Sequence, residues 1–344
     1  MRIVFVSTFL TQCGIATYTE ALASEMAKQG HSVVVLAEAE PNLKIKDTSP
    51  VPYYRTWLRG TFRGEAFANS IINATGDKID VVHFQHEFGI FPNNEEFIEA
   101  LDRLNKAHIA TVVTLHTVRQ PPYHAVFADE LRRAASAVVV HTPAAQTISS
   151  WGERVHIPHG LIWRPQPTNF NSNVLLCPGF VSESKGHKEI IDGFAIAVDH
   201  HKSVGTVLKI AGLCRDHMYL QKLEGHINQY GLGKRIILES QYITDDQLVV
   251  EMKNARAIIL GANKESPYSV SGQQSLALGL NKPIIAKNVP IYNHTPVGLY
   301  NTAEELANFL CHPDAFVTDE LAAIAQLRTW DKIVGKHVEL YKDL

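Results

Sequence analysis

Short, unbroken apolar runs alternate with amphipathic stretches along this whole chain, and few folds accept that pattern. Val- and Ile-rich runs occupy residues 3–6, 32–37, 81–84, 111–115, 137–140 and 154–157, then 174–177, 206–211, 235–238, 256–260 and 282–286. Helical periodicity fills 17–29, 95–106, 143–150, 186–201, 216–230, 245–253 and 272–280. A strand buried on both faces reads as a continuous β-branched run, because helices cover both sides of a parallel sheet. The expected class is α/β, with doubly wound parallel sheets. The alternation falters at 161–173, LIWRPQPTNFNSN, where Pro165, Pro167 and an Asn/Ser cluster are linker chemistry. At 344 residues there is room for two domains, each with its own core. The boundaries expected are 1–165 and 172–320, followed by a helical tail over 321–344.

Composition narrows the function. A net charge of −3, with 45% hydrophobic and 19% charged residues, describes a soluble globular protein and gives a nucleic-acid partner no support. No apolar run reaches the ~20 residues of a membrane span. The opening MRIVFVSTFLTQCG is not read as a secretion signal, because its apolar run is short and leads into a glycine turn. Cys13, Cys177, Cys214 and Cys311 lack metal-type spacing and fit free thiols in a reducing cytosol. A cytoplasmic protein is expected.

Several segments could carry chemistry. Residues 264–281, KESPYSVSGQQSLALGLN, follow one apolar run and precede another, with Ser271, Gly272, Gln273 and Gln274 opening a helix. Free N–H groups and the dipole at a helix start suit an anion, and glycine admits it close to the backbone. A well-capped helix in an ordinary α/β unit is the plainer alternative. Gly14, after the first strand, stands in a similar place, and a simple helix-opening turn is its alternative. The G-x-G-x-x-G fingerprint is absent, which disfavours a dinucleotide dehydrogenase. His83, His86 and His116 fall at or near strand ends, where parallel sheets bind ligands. Each could hydrogen-bond a sugar or phosphate oxygen, or be structural. His83 and His86 lie on opposite faces of one strand, so a metal site is not expected. His159, in IPHG, reads as hinge structure. Lys185, at the turn in CPGFVSESKG, is either a phosphate partner or a surface lysine. In 53–67, YYRTWLRGTFRGEAF, the four-residue spacing of Arg55, Arg59 and Arg63 would share a helix face. That stretch reads either as an anion-binding or interfacial patch, or as a solvated basic face with its aromatics packed inward.

Taken in order, these motifs resemble the retaining GT-B glycosyltransferases of family 4 over nearly the whole chain. CGIATYTEALASEMAKQGHSVVVLA is similar to that family's opening strand-side loop and first helix. VVHFQHEFGIF, VTLHTV and VHIPHG are similar to a branch with a Gln-His-Glu motif. GFVSESKGHKEIIDGF resembles the donor turn G-R-x-x-x-x-K-G, and SPYSVSGQQSLALGLNKPIIA resembles E-P-F-G-x-x-x-x-E-A-x-A-x-G-x-P-V-V-A. TWDKIVGKHVELY resembles the terminal helix that crosses back to the first domain.

The resemblance implies two doubly wound Rossmann-like domains facing across a cleft, an acceptor-side domain and a nucleotide-sugar domain. It implies sugar transfer from a nucleoside-diphosphate sugar, retention of anomeric configuration, and no obligatory cofactor or metal. Donor binding falls on Gly14, Lys185, Glu265, Ser266, Ser271, Gly272 and Gln274, and catalysis on His116 and Lys185. His86, Glu87, Arg55, Arg59 and Arg63 fall on the acceptor side. The acceptor is unidentified; an anionic or lipid-linked one is an open alternative, as is peripheral membrane association. There are departures. Gln274 and Ser266 stand where the family has glutamates, Glu265 is displaced by one residue, and Phe180 replaces the arginine. They leave a GT-B sugar-nucleotide epimerase, or a non-catalytic sugar-nucleotide-binding relative, as alternatives. Incubation with donor alone separates the epimerase, which needs no second substrate.

Overall fold

A computed structural model describes the chain apart from residues 40–47, 75–78, 120–123, 149–152, 163, 166–171, 201–205, 264–267, 296 and 317–318, and the side chain of Asp245. It divides into two compact units, Met1–Gly160 with Trp330–Leu344, and Leu161–Thr329.

The first unit carries strands β1 (Arg2–Ser7), β2 (Ser32–Glu38), β3 (Tyr53–Trp57), β4 (Val81–His86), β5 (Ala110–Leu115), β6 (Ala137–Val140) and β7 (Val155–His156). They form one parallel sheet in the order β3-β2-β1-β4-β5-β6-β7. Helices α1 (Gly14–Lys28), α2 (Gly64–Ala74), α3 (Asn94–Lys106), α4 (Ala125–Ala134) and α5 (Pro143–Gln146) join the strands. Helix α3 shows why the sequence folds this way. The Asn93 side chain accepts from Glu96 N, acids fill the first turn, Arg103 and Lys106 the last, and Phe97, Ala100, Leu101 and Leu104 form the buried stripe.

The second unit carries β8 (Val174–Pro178), β9 (Val207–Ala211), β10 (Ile236–Glu239), β11 (Ala257–Leu260), β12 (Ile284–Lys287) and β13 (Gly298–Tyr300), parallel in the order β10-β9-β8-β11-β12-β13. Its helices are α6 (His187–His200), α7 (His217–Gln229), α8 (Asp245–Asn254), α9 (Gly272–Gly279), α10 (Ala303–Cys311) and α11 (Asp319–Gln326). One core cluster packs Ile190, Phe194 and Leu306 on Ile210 and Ile259. Another packs Met252, Leu278 and Leu321 on Leu176 and Ile258. Lys282 is fully buried, and its Nζ donates to the carbonyls of Lys253 (2.7 Å) and Ala255 (2.9 Å), closing the end of α8.

Helix α12 (Trp330–Lys342) returns to the first unit, where Trp330, Ile333, Val334 and Tyr341 join Phe5, Leu22 and Val35 in the core. His83 lies 2.6 Å from the Tyr341 hydroxyl through Nδ1 and 2.7 Å from Thr114 Oγ1 through Nε2.

One expectation is corrected. Arg55, Arg59 and Arg63 do not share a helix face. Residues 53–57 are an edge strand with alternating burial, Arg59–Thr61 is a 3-10 turn, and helix begins at Gly64. Aromatic and β-branched residues favour the pleat there, and period-2 burial overrides the four-residue charge spacing.

Buried imidazoles make the first unit acid-sensitive. Burial pushes His86, His141 and His337 each down to about 3. In the unfolded chain they return to about 6.5. Between those values the unfolded state binds more protons, so stability is lost as pH falls below about 6.5, on the order of 1.4 kcal/mol per histidine for each pH unit. Urea midpoints measured from about pH 7.5 down to about 5 should fall steeply, and a flat profile would mean these rings already titrate normally.

Candidate functional site

In the second unit, strand order reverses at the β8/β11 boundary, the position where open α/β sheets bind ligands. Three segments meet at the carboxyl ends of these strands. The loop after β8 ends in a 3-10 turn, Glu183–Lys185, capped by left-handed Gly186 (φ 66°). A Cβ on Gly186 would fall 2.0 Å from the Gly261 carbonyl oxygen, so this turn lies tight against the end of β11. The loop after β9 begins with Gly212 (φ 151°), where a Cβ would fall 2.0 Å from the Gly179 oxygen. Helix α9 opens after β11, and its Gln273 amide nitrogen is 2.9 Å from where a Gly179 Cβ would stand.

The start of α9 is exposed at Gly272. Ser271 is the N-cap; its hydroxyl accepts from Gln274 N (3.3 Å) and donates to Gln273 Oε1 (3.4 Å). No described residue lies within 4 Å of a Cβ placed on Gly272. Lys185 is half-buried on the neighbouring turn. Cation, helix start and close backbone together suit a phosphate group.

Gln274 departs from the expected ribose contact. It is 0% exposed, and its amide nitrogen donates to Tyr292 O (3.2 Å) and Thr295 Oγ1 (2.5 Å). Its position three residues after the N-cap turns it into the core. Glu265 and Ser266 lie outside the described residues. A cation that sequence reasoning missed is Arg215, in the loop after β9, whose guanidinium sits 5.8 Å over the Phe180 ring. No spacing in LCRDH signals it, since the partner is 35 positions away.

In the first unit, strand order reverses between β1 and β4. Gly14 is the first residue of α1 and exposed, and no described residue lies within 4 Å of a Cβ placed on it. Cys13 supplies no side-chain cap there. Beyond β5, His116 is half-buried; its backbone N–H donates to His86 O (3.1 Å) and its Nε2 lies 2.9 Å from Gln85 Oε1. The rings of Tyr18 and His141 stand at 4.9 and 5.2 Å. Burial, then the neighbouring imidazoles of His141, His159, His83 and His86, hold its pKa well below the ordinary histidine value. His116 is therefore neutral at physiological pH, able both to donate and to accept. His159 packs on Tyr18 (5.0 Å) and Trp330 (6.0 Å).

The acceptor-side residues are corrected in part. His86 is fully buried, stacked with Phe91 (5.9 Å) and Phe127 (5.2 Å), so it presents nothing to an acceptor. Glu87 is half-buried, and its carboxylate accepts from Phe88 N. Arg59 holds buried Glu38 with two 2.8 Å bonds. Arg55 donates to the carbonyls of Glu38 (2.6 Å) and Phe9 (3.2 Å), and Arg63 to Phe62 O and Glu96 Oε1. Trp57 and Phe62 are buried among Phe91 and Phe67. Arg55 and Arg59 thus secure the edge of the sheet. Among the described residues, no group of three His, Cys, Asp or Glu could hold a metal ion, and no helix is long and apolar enough to cross a membrane.

Known proteins share this geometry. Residues 13–161 match the model of Glycosyltransferase Family 4. The chain is similar to HepE from Anabaena, solved in complex with UDP and glucose, at 17% identity over 100% of both chains, with a TM-score of 0.75. It is similar to a glycosyltransferase from Rickettsia africae at 14% identity, over 99% of this chain and 98% of that one, with a TM-score of 0.75. Sucrose-phosphate synthase from Thermosynechococcus elongatus aligns at 15% identity over 100% and 99%, with a TM-score of 0.65. No curated protein matches the chain. Two parallel α/β sheets of this order are the GT-B fold that these solved proteins share, and it is the first unit, over residues 13–161, that matches Glycosyltransferase Family 4.

Proposed function

We propose that this protein transfers a sugar from a nucleoside-diphosphate sugar to an acceptor, with retention of anomeric configuration and no metal step. The observation that carries the reading is the β8/β11 switch point, where the start of α9, with Gln273 against Gly179, and the turn that carries Lys185, packed on Gly261, lie at the ends of the same strands. The family match supports it, as does likeness of fold to a protein solved with UDP and glucose.

In this reading Lys185, the Ser271–Gly272 helix start and the α9 dipole stabilise the charge growing on the departing diphosphate. Gly14 offers α1 backbone N–H groups to a phosphate or hydroxyl oxygen. His116 meets the reacting sugar as a neutral hydrogen-bonding group. No side chain in the described set is placed as a covalent nucleophile, so displacement on the same face of the sugar, guided by the leaving phosphate, accounts for retention. Arg55 and Arg59 are occupied internally, which withdraws the support for an anionic acceptor held by that stretch.

A thermal-shift panel of UDP-glucose, ADP-glucose and GDP-mannose tests the reading. A true donor at 100 times its dissociation constant stabilises by about 2.7 kcal/mol. Failure of every nucleotide sugar to stabilise the protein would remove the proposal. Replacing Lys185 by Ala should weaken nucleoside-diphosphate affinity by about 1.5–3 kcal/mol, the usual worth of a hydrogen bond to a charged group. Unchanged affinity by calorimetry would place the diphosphate elsewhere. A second reading, binding without turnover, is favoured by the inward turn of Gln274. It predicts a thermal shift with no released nucleoside diphosphate in any acceptor screen.

A further inference from the structure

We propose that Gln85 is a positioning residue for His116: its carboxamide oxygen holds the imidazole with Nε2 protonated and leaves Nδ1 as the hydrogen-bond acceptor. The kinetic part of this inference rests on the reading that His116 meets the reacting sugar; the structural part does not.

Gln85 is 0% exposed in β4, which is paired on one side with β1 and on the other with β5. Its backbone stands opposite Thr114, and the bond from His116 N to His86 O extends that ladder one step beyond β5. Both backbones are therefore fixed, and the 2.9 Å contact between Gln85 Oε1 and His116 Nε2 joins two anchored side chains. A carbonyl oxygen only accepts, so the imidazole must donate from Nε2. The Gln85 amide nitrogen has no partner among the described residues. The buried side chain is thus committed to His116 through its oxygen.

Among the described residues, the other groups around His116 disfavour charge on it. Tyr18 packs edge-on from α1, His141 comes from the end of β6, His159 from beyond β7, and His83 and His86 from β4. No described carboxylate is among them. A carboxamide orients the ring without drawing a second proton onto it, whereas a carboxylate there would favour imidazolium. Only the neutral ring can accept a hydrogen bond from a sugar hydroxyl.

The test uses the full chain labelled with 15N-histidine, with the His116 resonance identified by its loss in H116A. Wild-type His116 should show the Nε2–H tautomer throughout the neutral range. Gln85→Glu should raise the His116 pKa by about 1–3 units, as a nearby opposite charge does. Gln85→Ala, with its melting temperature checked, should lose the tautomer bias, and if Gln85→Glu does not fold, Gln85→Asn, one methylene too short to reach Nε2, should lose that bias as well. An Nδ1–H tautomer in the wild type, or a His116 pKa unmoved in Gln85→Glu, overturns the proposal. In turnover assays with the identified donor, Gln85→Ala should lower kcat by about 100-fold while donor KM stays within a few-fold, the loss expected when a reacting group is mispositioned. In Gln85→Glu the acid limb of kcat should move up with the His116 pKa. The correct tautomer and pKa shift in a protein that transfers no sugar would refute the transferase reading and leave the positioning role standing. Transfer with an unresponsive His116 would do the reverse.

Discussion

Alanine at His116 should lower turnover by about 100- to 10,000-fold, the range of a positioned proton-handling group. It should do so with little loss of fold. Among the described residues the side chain makes one hydrogen bond, to Gln85, and two ring contacts, to Tyr18 and His141. Its removal should cost about 1–2 kcal/mol, mostly from leaving Gln85 unpaired. His86 supplies the control. It lies one strand away, fully buried among Phe88, Phe91, Phe97 and Phe127, and neither ring nitrogen has a partner among the described residues. His86→Phe replaces two unsatisfied nitrogens with apolar surface of similar shape, so it should be neutral or stabilising and leave kcat near normal. Steady-state rates and melting curves on the two variants decide the matter. Near-normal turnover in His116→Ala would make that histidine structural.

The contrast between these histidines shows what the sequence could carry. Strand ends were legible, because β4 and β5 are unbroken apolar runs bounded by polar residues. Which strand-end histidine reaches the surface was not. His86 is the last residue of β4 and points beneath α3 and α4, whereas His116 stands one residue past β5. A displacement of one residue decides between core and site, and that is finer than apolar periodicity resolves. Arg59 tells the same story at longer range. Its partner Glu38 is 21 positions away across β2 and β3, so a local pattern of arginines suggested a surface patch that tertiary pairing consumes. Gln273 and Gln274 are adjacent, yet helical phase from the Ser271 cap sends Gln274 inward. The helix was expected from sequence; its phase needed the structure.

That phase also separates stability from binding at two glycines. Gly272→Ala should stabilise the protein by about 0.4–1 kcal/mol, because alanine narrows the unfolded ensemble and no described residue lies within 4 Å of the new methyl. The same methyl would stand where we propose the diphosphate meets the helix start, so affinity for the nucleoside diphosphate of the identified donor should fall by about 1.5–3 kcal/mol, the worth of charge-assisted hydrogen bonds held apart. Gly212→Ala should behave in the opposite way. Its φ of 151° suits glycine, and its Cβ would fall 2.0 Å from the Gly179 oxygen and 2.6 Å from the Gly179 carbonyl carbon. Backbone cannot yield as a flexible side chain does, so strain and overpacking together should cost about 2 kcal/mol or more. Loss of nucleoside-diphosphate affinity in that variant would follow from distortion of the β8 and β9 loops and would track its fall in melting temperature. In Gly272→Ala the two readouts should move apart: a higher melting temperature with weaker nucleoside-diphosphate binding. If Gly272→Ala binds that nucleotide as the wild type does, the start of α9 is only a well-capped helix, and the donor's phosphates lie elsewhere on the unit.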